Sequence, residues 1–304
     1  MDVTEVVSGL RFPEGPIAMP DGSVILVEIE RGTLSRVTTS GTIEVIADLG
    51  GGPNGAAMGP DGWIYVCNNG GFEWSESASG ALRPGHQSKD YETGSIQRVN
   101  PDTGEFQTLY THCGDRRLNG PNDIVFDKTG GFYFTDLGKT REYDMDIGAV
   151  YYAQPDGSHI HEIVTGVITP NGCSLSPDED VLYFAETRTC RLWALDITSP
   201  GQVERPLGAP GKLLYGSSDY QLFDSMAVDA EGHVCVATLL NSGITSVSPD
   251  GSEVGFFPFD DLLTTNICFG GAGLETAFVT LSTTGRLVKT QWQRPGLALN
   301  FLNT

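Results

Sequence analysis

The sequence predicts an all-β chain: a six-bladed β-propeller of four antiparallel strands per blade, its ring closed by an N-terminal strand. Three observations carry this. A phrase recurs, as Pro13-Glu14-Gly15, Pro53-Asn54-Gly55, Pro121-Asn122-Asp123 and Pro170-Asn171-Gly172, with looser copies at Phe223-Asp224-Ser225 and around Asn266. Each copy is followed at a fixed offset by a turn position (Asp21, Asp61, Thr129, Asp178, Glu231, Gly273), roughly 40 to 70 residues from the next. Each turn then opens onto a β-branched or aromatic run, the mark of a strand bounded by turn residues.

The units share an internal order. The polar centre and a short apolar stretch form a first strand. The run after the turn forms the second: Ser23 to Val27, Trp63 to Val66, Gly131 to Phe134, Val181 to Phe184, His233 to Val236 and Thr276 to Val279. A third strand, usually opened by Gly, follows at Gly32, Gly94, Gly148, Cys190, Gly243 and Gly285. Fourth strands are visible in most units, as at Ile43 to Ile46 and Ile160 to Val164. Thr4 to Val7 resembles those fourth strands but precedes the first unit. It is therefore expected to pair into the last blade and cover its open edges.

The chain reads as a single domain over 1–304. One interval is long enough to hold an insertion at about 70–92, expected to act as a lid. Its candidates are Phe72, Trp74, Arg83, His86 and Tyr91. Gly138 to Ile147 and Tyr215 to Phe223 are shorter loops of the same kind.

Composition narrows the function. With 18 basic against 39 acidic residues the formal net charge is -21, which disfavours nucleic acid as a partner. No apolar run reaches the roughly 20 residues of a membrane span, so no membrane association is expected. The N-terminus carries no visible signal peptide. The six cysteines form no Cys-x-x-Cys pair, and several sit in apolar runs. They read as free thiols of a cytoplasmic protein.

In a propeller the first strand of each blade lines the channel. Blade symmetry then gathers Glu14, Asn54, Asn122, Asn171, Asp224 and Asn266 into one ring at one mouth. Carboxylates and amide carbonyls are oxygen donors, suited to a hard divalent cation. No His or Cys occupies a centre, which argues against the usual zinc site. Asn and Asp also cap turns, which accounts for Asn before Gly. It does not account for Glu14, nor for Asp224 at the equivalent place. Asp136 and Glu186 end second strands and either orient a substrate or satisfy turns. His159 and His161 fall on an outer strand, away from the channel. No Gly-x-Ser-x-Gly elbow or phosphate-cradling loop is present.

Together, Glu14, Asn122-Asp123, the run Pro170 to Asp178, the run Asp224 to Gly232 and Cys268 to Gly271 resemble the senescence-marker-protein/gluconolactonase family, the regucalcin-like propellers. The resemblance covers nearly the whole chain. It implies one divalent metal held by Glu14, Asn171 and Asp224, with Asp224 as general base of a lactonase. Calcium is the expected ion; manganese, zinc, magnesium and iron stay open. Asn122, Asn54, Asp123, Ser225, Asn119 and Glu186 are the substrate-side or supporting candidates. Gly120 stands where sugar-lactone members often carry Arg, so the sugar-binding details do not carry over. The Leu118 to Asp123 phrase, with Ala185-Glu186-Thr187, looks closer to bacterial lactonases of looser substrate range. The implied partner is a small lactone, and the implied assembly a monomer or small homo-oligomer. The alternative is a non-catalytic calcium-binding propeller or interaction platform.

Overall fold

The computed structural model describes residues 1–303 and is built almost wholly of strands, with two short 3-10 turns at Thr187–Thr189 and Ala272–Leu274. Six antiparallel sheets follow one another around an axis. Blade 1 runs Pro13–Ala18, Val24–Glu28, Thr33–Val37 and Ile43–Asp48. Blade 2 runs Pro53–Met58, Ile64–Asn68, Ser95–Val99 and Phe106–Tyr110, and blade 3 runs Pro121–Phe126, Phe132–Asp136, Gly148–Ala153 and Ile160–Val167. Blade 5 runs Leu222–Val228, Val234–Leu239, Gly243–Val247 and Val254–Pro258.

Blade 6 holds Thr264–Gly270, Thr276–Leu281 and Arg286–Gln291, and its outer strand is the N-terminal Val3–Ser8, paired to Arg286–Gln291. The expected closure is what the structure shows. Blade 4 departs from the regular pattern. Its third strand, Arg191–Ser199, is long enough to pair with both Gln202–Glu204 and Lys212–Gly216. Tyr215, expected in a loop, therefore lies in a strand.

Between the second and third strands of blade 2 stands a separate hairpin, Phe72–Glu76 with Leu82–Gln87. Apolar side chains of neighbouring sheets fill the gaps between blades: Tyr65 of blade 2 packs edge-on to Phe126 of blade 3, with ring centroids 5.0 Å apart. The six cysteines are free, and all but Cys113 are buried. Among the described residues no helix is long and apolar enough to cross a membrane.

The recurring phrase has a structural cause. In every blade the pairing of the first two strands is interrupted just at the polar centre, between Glu14 and Ile17 in blade 1 and between Pro170 and Cys173 in blade 4. Such a bulge re-aims a side chain, here toward the axis. The Gly after the centre answers to crowding. A Cβ on Gly55 would meet Asn122 O at 2.5 Å, and one on Gly172 would meet Asp224 O at 2.6 Å and Ser225 Cα at 2.7 Å. Inner strands converge too closely there for any side chain, and the atoms met are backbone.

Gly172→Ala is therefore expected to destabilise the fold by roughly 1–3 kcal/mol, by forcing the inner strands of blades 4 and 5 apart. Denaturant unfolding checks this. A midpoint equal to the parent's would show that the strands yield freely.

Candidate active site

Glu14, Asn54, Asn122, Asn171 and Asp224 all line one cavity of about 550 Å³ at one end of the channel. All five are buried. The repeat brings these five residues, far apart in the chain, to one mouth; Asn266, the sixth centre expected in the ring, does not line the cavity.

The polar contacts there are few and specific. Asn171 Nδ2 donates to Asp224 Oδ1 at 2.5 Å. Asn266 Nδ2 donates to Glu14 Oε2 at 2.6 Å, and Gly15 N donates to the same oxygen at 2.7 Å. Asn266 Oδ1 is held by Ile267 N at 2.8 Å, so this side chain is fully used in fixing Glu14. Ser225, itself buried, reaches Asn171 Oδ1 only at 3.5 Å. Glu14 Oε1 and Asp224 Oδ2 accept no hydrogen bond among the described residues. Asn122 Oδ1 is buried with no partner at all.

Asp123 stands beneath the ring. Its carboxylate accepts from Ile124 N at 3.0 Å and from Cys173 N of the next blade at 3.1 Å. Its backbone N–H donates to Thr135 Oγ1, which in turn donates to Asn171 O at 2.6 Å. It thus ties blade 3 to blade 4 under the site.

Three buried carboxyls share this space. Burial, and then the charge of Asp224, pushes Glu14 well above the usual carboxylate range against donors from Asn266 and Gly15. Burial pushes Asp123 up to about 7 despite its backbone donors. Burial also pushes Asp224 up to about 7, with the Asn171 amide opposing and the Asp123 charge adding to it. A nearby cation would reverse all three shifts. The unpartnered Asn122 oxygen and the free carboxylate oxygens of Glu14 and Asp224 suit one: they are hard donors with nothing to bind. Among the described residues no three His, Cys, Asp or Glu side chains gather at metal-binding separation. An ion here would need the asparagine oxygens as well.

Two supporting candidates lie away from the cavity. Glu186, left open between orienting a substrate and satisfying turns, holds turns. Ile168 N donates to its Oε1 at 2.7 Å, and Thr189 Oγ1 and Trp193 Nε1 donate to its Oε2. Asn119 does not line the cavity either. Its N–H donates to Asp136 Oδ2 at 2.7 Å, and its carbonyl accepts from Tyr91. Asp136, the other open case, accepts three backbone N–H groups, from Asn119, Gly120 and Gly138. These acids form a second repeat that the sequence reading passed over. Glu28, Asn68, Asp136 and Glu186 each end a second strand, directly opposite Pro13, Pro53, Pro121 and Pro170. Each accepts a backbone N–H from the loop just before its own blade's proline. His159 and His161 lie at blade 3's outer strand, as expected, bonded to each other and to Gly201 O.

The blade 2 hairpin lies across the mouth. Phe72, Arg83 and His86 line the same cavity as the ring. Glu76 reaches Arg11 at 3.2 Å, Leu82 N donates to Thr283 O, and Gln87 N donates to Thr140 O. The hairpin thus touches blades 1, 6 and 3. Trp74 and Tyr91 do not line the cavity: Trp74 packs on Phe12 at 5.0 Å between ring centroids, and Tyr91 anchors the loop base.

Lys139 was not anticipated. Buried in the loop after Asp136, its Nζ donates to Asn69 O at 2.8 Å and Gly71 O at 2.7 Å. It also sits over the rings of Phe72 (4.2 Å) and Tyr91 (5.2 Å). It pins the first residues of the insertion to blade 3. A lone Lys in a polar, charged loop gives no sequence signal of this.

A model of the family described as SMP-30/Gluconolactonase/LRE-like region matches residues 12–283. The chain is similar to a gluconolactonase of Zymomonas mobilis, 27% identical over 305 residues that cover 91% of this chain and 78% of that one. It is similar also to the lactonase drp35 of Staphylococcus saprophyticus, 28% identical over 250 residues, 81% and 69% of the two chains. Among solved structures, a gluconolactonase of Xanthomonas campestris superposes with a TM-score of 0.74 at 21% identity, covering 95% and 89% of the chains. Regucalcin of Agrobacterium tumefaciens, described as a calcium-binding protein, superposes with a TM-score of 0.75 at 17% identity, covering 97% and 95%.

Two outcomes follow from these contacts. In chelator, folded Asp123 and Asp224 keep their protons up to about 7, while the unfolded chain releases them near 3.8. The folded state binds more protons between those values, so stability should fall as pH rises through that window and level off above it. The steepest loss is about 1.4 kcal/mol per pH unit for each group. Asp123→Asn should flatten the slope in urea titrations; an unchanged slope would show that Asp123 is ionised throughout. Lys139→Met should loosen the hairpin, seen as several-fold faster proteolysis at its exposed Ser77–Gly80 tip. Equal cleavage rates would deny Lys139 the pinning role.

Proposed function

We propose that this chain, which belongs to the SMP-30/gluconolactonase/LRE-like family, is a lactonase. In this reading it opens a small lactone to its hydroxy acid at the cavity bounded by Glu14, Asn54, Asn122, Asn171 and Asp224. The observation that carries the reading is the buried, unpartnered Asn122 Oδ1 in one cavity of substrate size with the carboxyl groups of Glu14 and Asp224, each held by an amide through one oxygen.

Glu14, Asn171 and Asp224 would hold one divalent ion, with the unpartnered Asn122 Oδ1 of the same cavity as a further candidate donor; calcium suits all-oxygen donors best. Such an ion would supply a Lewis acid for the lactone carbonyl oxygen. The chain's own residues do the rest. Asn266 and Gly15 N fix Glu14, so one of its oxygens stays directed into the site. Asn171 Nδ2 fixes Asp224 by one oxygen, which leaves Oδ2 to take a proton from the attacking water. The water oxygen bonds to the carbonyl carbon, and the ring C–O bond breaks. Asp224 then returns its proton to the departing ring oxygen. Asp123 below holds the inner strands of blades 3 and 4 in register, keeping Asn122 and Asn171 side by side. Apolar walls from Phe12, Phe72 and Leu263 keep bulk water from the reacting atoms.

A lactone panel assayed on metal-stripped protein, with calcium, manganese, zinc and iron restored singly, tests the reading. Asp224→Asn is expected to lower kcat by about 10²- to 10⁴-fold with the fold intact. Near-parental turnover on every lactone would remove the general-base role. Glu14→Gln is expected to lose bound metal by elemental analysis while unfolding at the parental midpoint; equal metal content would remove Glu14 from the ligand set.

A further inference from the structure

The cations around the cavity carry a second message. The chain is strongly acidic, and most of its basic side chains are spent on carboxylates: Arg98 on Asp61, Arg116 on Glu162, Arg141 on Asp146 and Arg294 on Asp229, among others. Arg83 and Arg188 are exceptions. Among the described residues neither guanidinium has a carboxylate partner, and neither donates a side-chain hydrogen bond. Both line the active-site cavity. They come from unrelated segments: Arg83 from the inserted hairpin over the mouth, and Arg188 from the 3-10 turn after blade 4's second strand. His86, also on the hairpin, is the remaining basic side chain facing that space.

The cavity is thus polarised. Its floor holds Glu14 and Asp224, with Asp123 beneath. Its rim holds two unpaired guanidinium groups. A neutral lactone has no use for the rim. An anionic ligand does, because a net charge of -21 repels it from the whole surface and only local cations make the mouth attractive. Arginine adds geometry to charge: its planar fork takes a carboxylate or phosphate by two parallel hydrogen bonds. The floor offers such a group no cation of the chain's own: its charged side chains are the acids Glu14 and Asp224, and the ion they would hold is taken up by the lactone carbonyl. A ligand with an electrophilic carbonyl at one end and an anion at the other therefore has one favourable orientation.

We propose that the substrate is a lactone bearing a second, ionised acid group, and that Arg83 and Arg188 bind that group while the ring carbonyl meets the floor. This rests on the lactonase reading and adds the substrate class to it. The two arginines act in specificity, through the substituent, and take no part in bond breaking.

The test compares 5-oxotetrahydrofuran-2-carboxylate with its neutral counterpart, 5-(hydroxymethyl)dihydrofuran-2-one, and with the phosphate ester of that alcohol. The expected result is kcat/KM at least tenfold higher for an anionic lactone than for the neutral one, carried by KM and shrinking as salt is raised. Whichever anion gives the larger ratio identifies the substituent. Arg83→Gln and Arg188→Gln should each cut the anionic-to-neutral ratio about tenfold, with partial recovery in the Lys variants. A ratio near one, or a ratio that both Gln variants leave unmoved, overturns the proposal while leaving lactone hydrolysis standing. If no lactone is opened, calorimetry with 2-hydroxyglutarate, the ring-opened diacid, decides separately. Binding that the double Gln variant loses supports the anion site; no binding, or binding the variant keeps, overturns it.

Discussion

Glu14, Asp123 and Asp224 bring three carboxyl groups into buried positions around one axis, and among the described residues no ammonium or guanidinium group is paired with any of them. Burying ionised carboxylates is among the more expensive things a fold can do, and such groups normally pair, accept hydrogen bonds or take up a proton. Here the surroundings do half of that. Amide groups of Asn171 and Asn266 and backbone N–H groups of Gly15, Ile124 and Cys173 satisfy one face of each carboxyl. The other face of Glu14 and Asp224 is left open to the cavity. That half-satisfaction separates a site from a structural acid. Glu186 and Asp136, equally buried, have their oxygens claimed by local donors and are not part of the ring.

The strand architecture exists in the form needed to sustain that arrangement. In five blades the inner strand bulges across or directly after the polar centre, which is turned toward the axis; in blade 6 the shift falls one step earlier, between Thr264 and Asn266. Convergence then leaves no room for a Cβ at the next position where Gly55 and Gly172 stand. In blade 3 that next residue is Asp123, and its carboxylate goes under the ring instead. A hypothetical Cβ on Gly55 would meet Asp123 Oδ1 at 2.8 Å, so the glycine of one blade makes space for the acid of its neighbour.

The fold and the ring were legible because both are periodic. Alternation marked the strands, and the repeat of Pro-x-Gly marked the blades. The N-terminal strand was legible as an outer strand without a blade. What misled was a second periodicity in phase with the first. Glu28, Asn68, Asp136 and Glu186 pair across from the prolines that open the inner strands, and they accept N–H groups from the loops just before those prolines. An acid at the end of a second strand sits one pairing step from the ring and has the same composition. Only its donors distinguish it, and donors come from tertiary structure. Glu186 and Asp136 stayed open between a substrate and a turn role for that reason. The roles within the insertion were illegible on the same grounds: Phe72, Trp74 and Tyr91 are all aromatic, yet the first faces the cavity, the second packs on Phe12 and the third anchors the base.

The floor and the rim are built on different footings, and that difference bears on what each can vary. Floor residues sit on inner strands whose spacing is fixed by backbone contacts, so a change there disturbs two blades at once. The hairpin part of the rim is added between two strands of blade 2, held at its base by Lys139 and the Gln87–Thr140 backbone hydrogen bond, and toward its far end by Arg11–Glu76 and the Leu82–Thr283 backbone hydrogen bond. Its side chains over the cavity can change without altering any strand pairing in the six sheets. In the proposed reading, reaction chemistry belongs to the symmetric part of the molecule, where geometry is over-determined, and substrate choice to the part that breaks the symmetry. Arg83 on the hairpin and Arg188 on a turn lie outside the repeat and outside the ladders of the six blades. Such positions can acquire an unpaired charge without cost to the core.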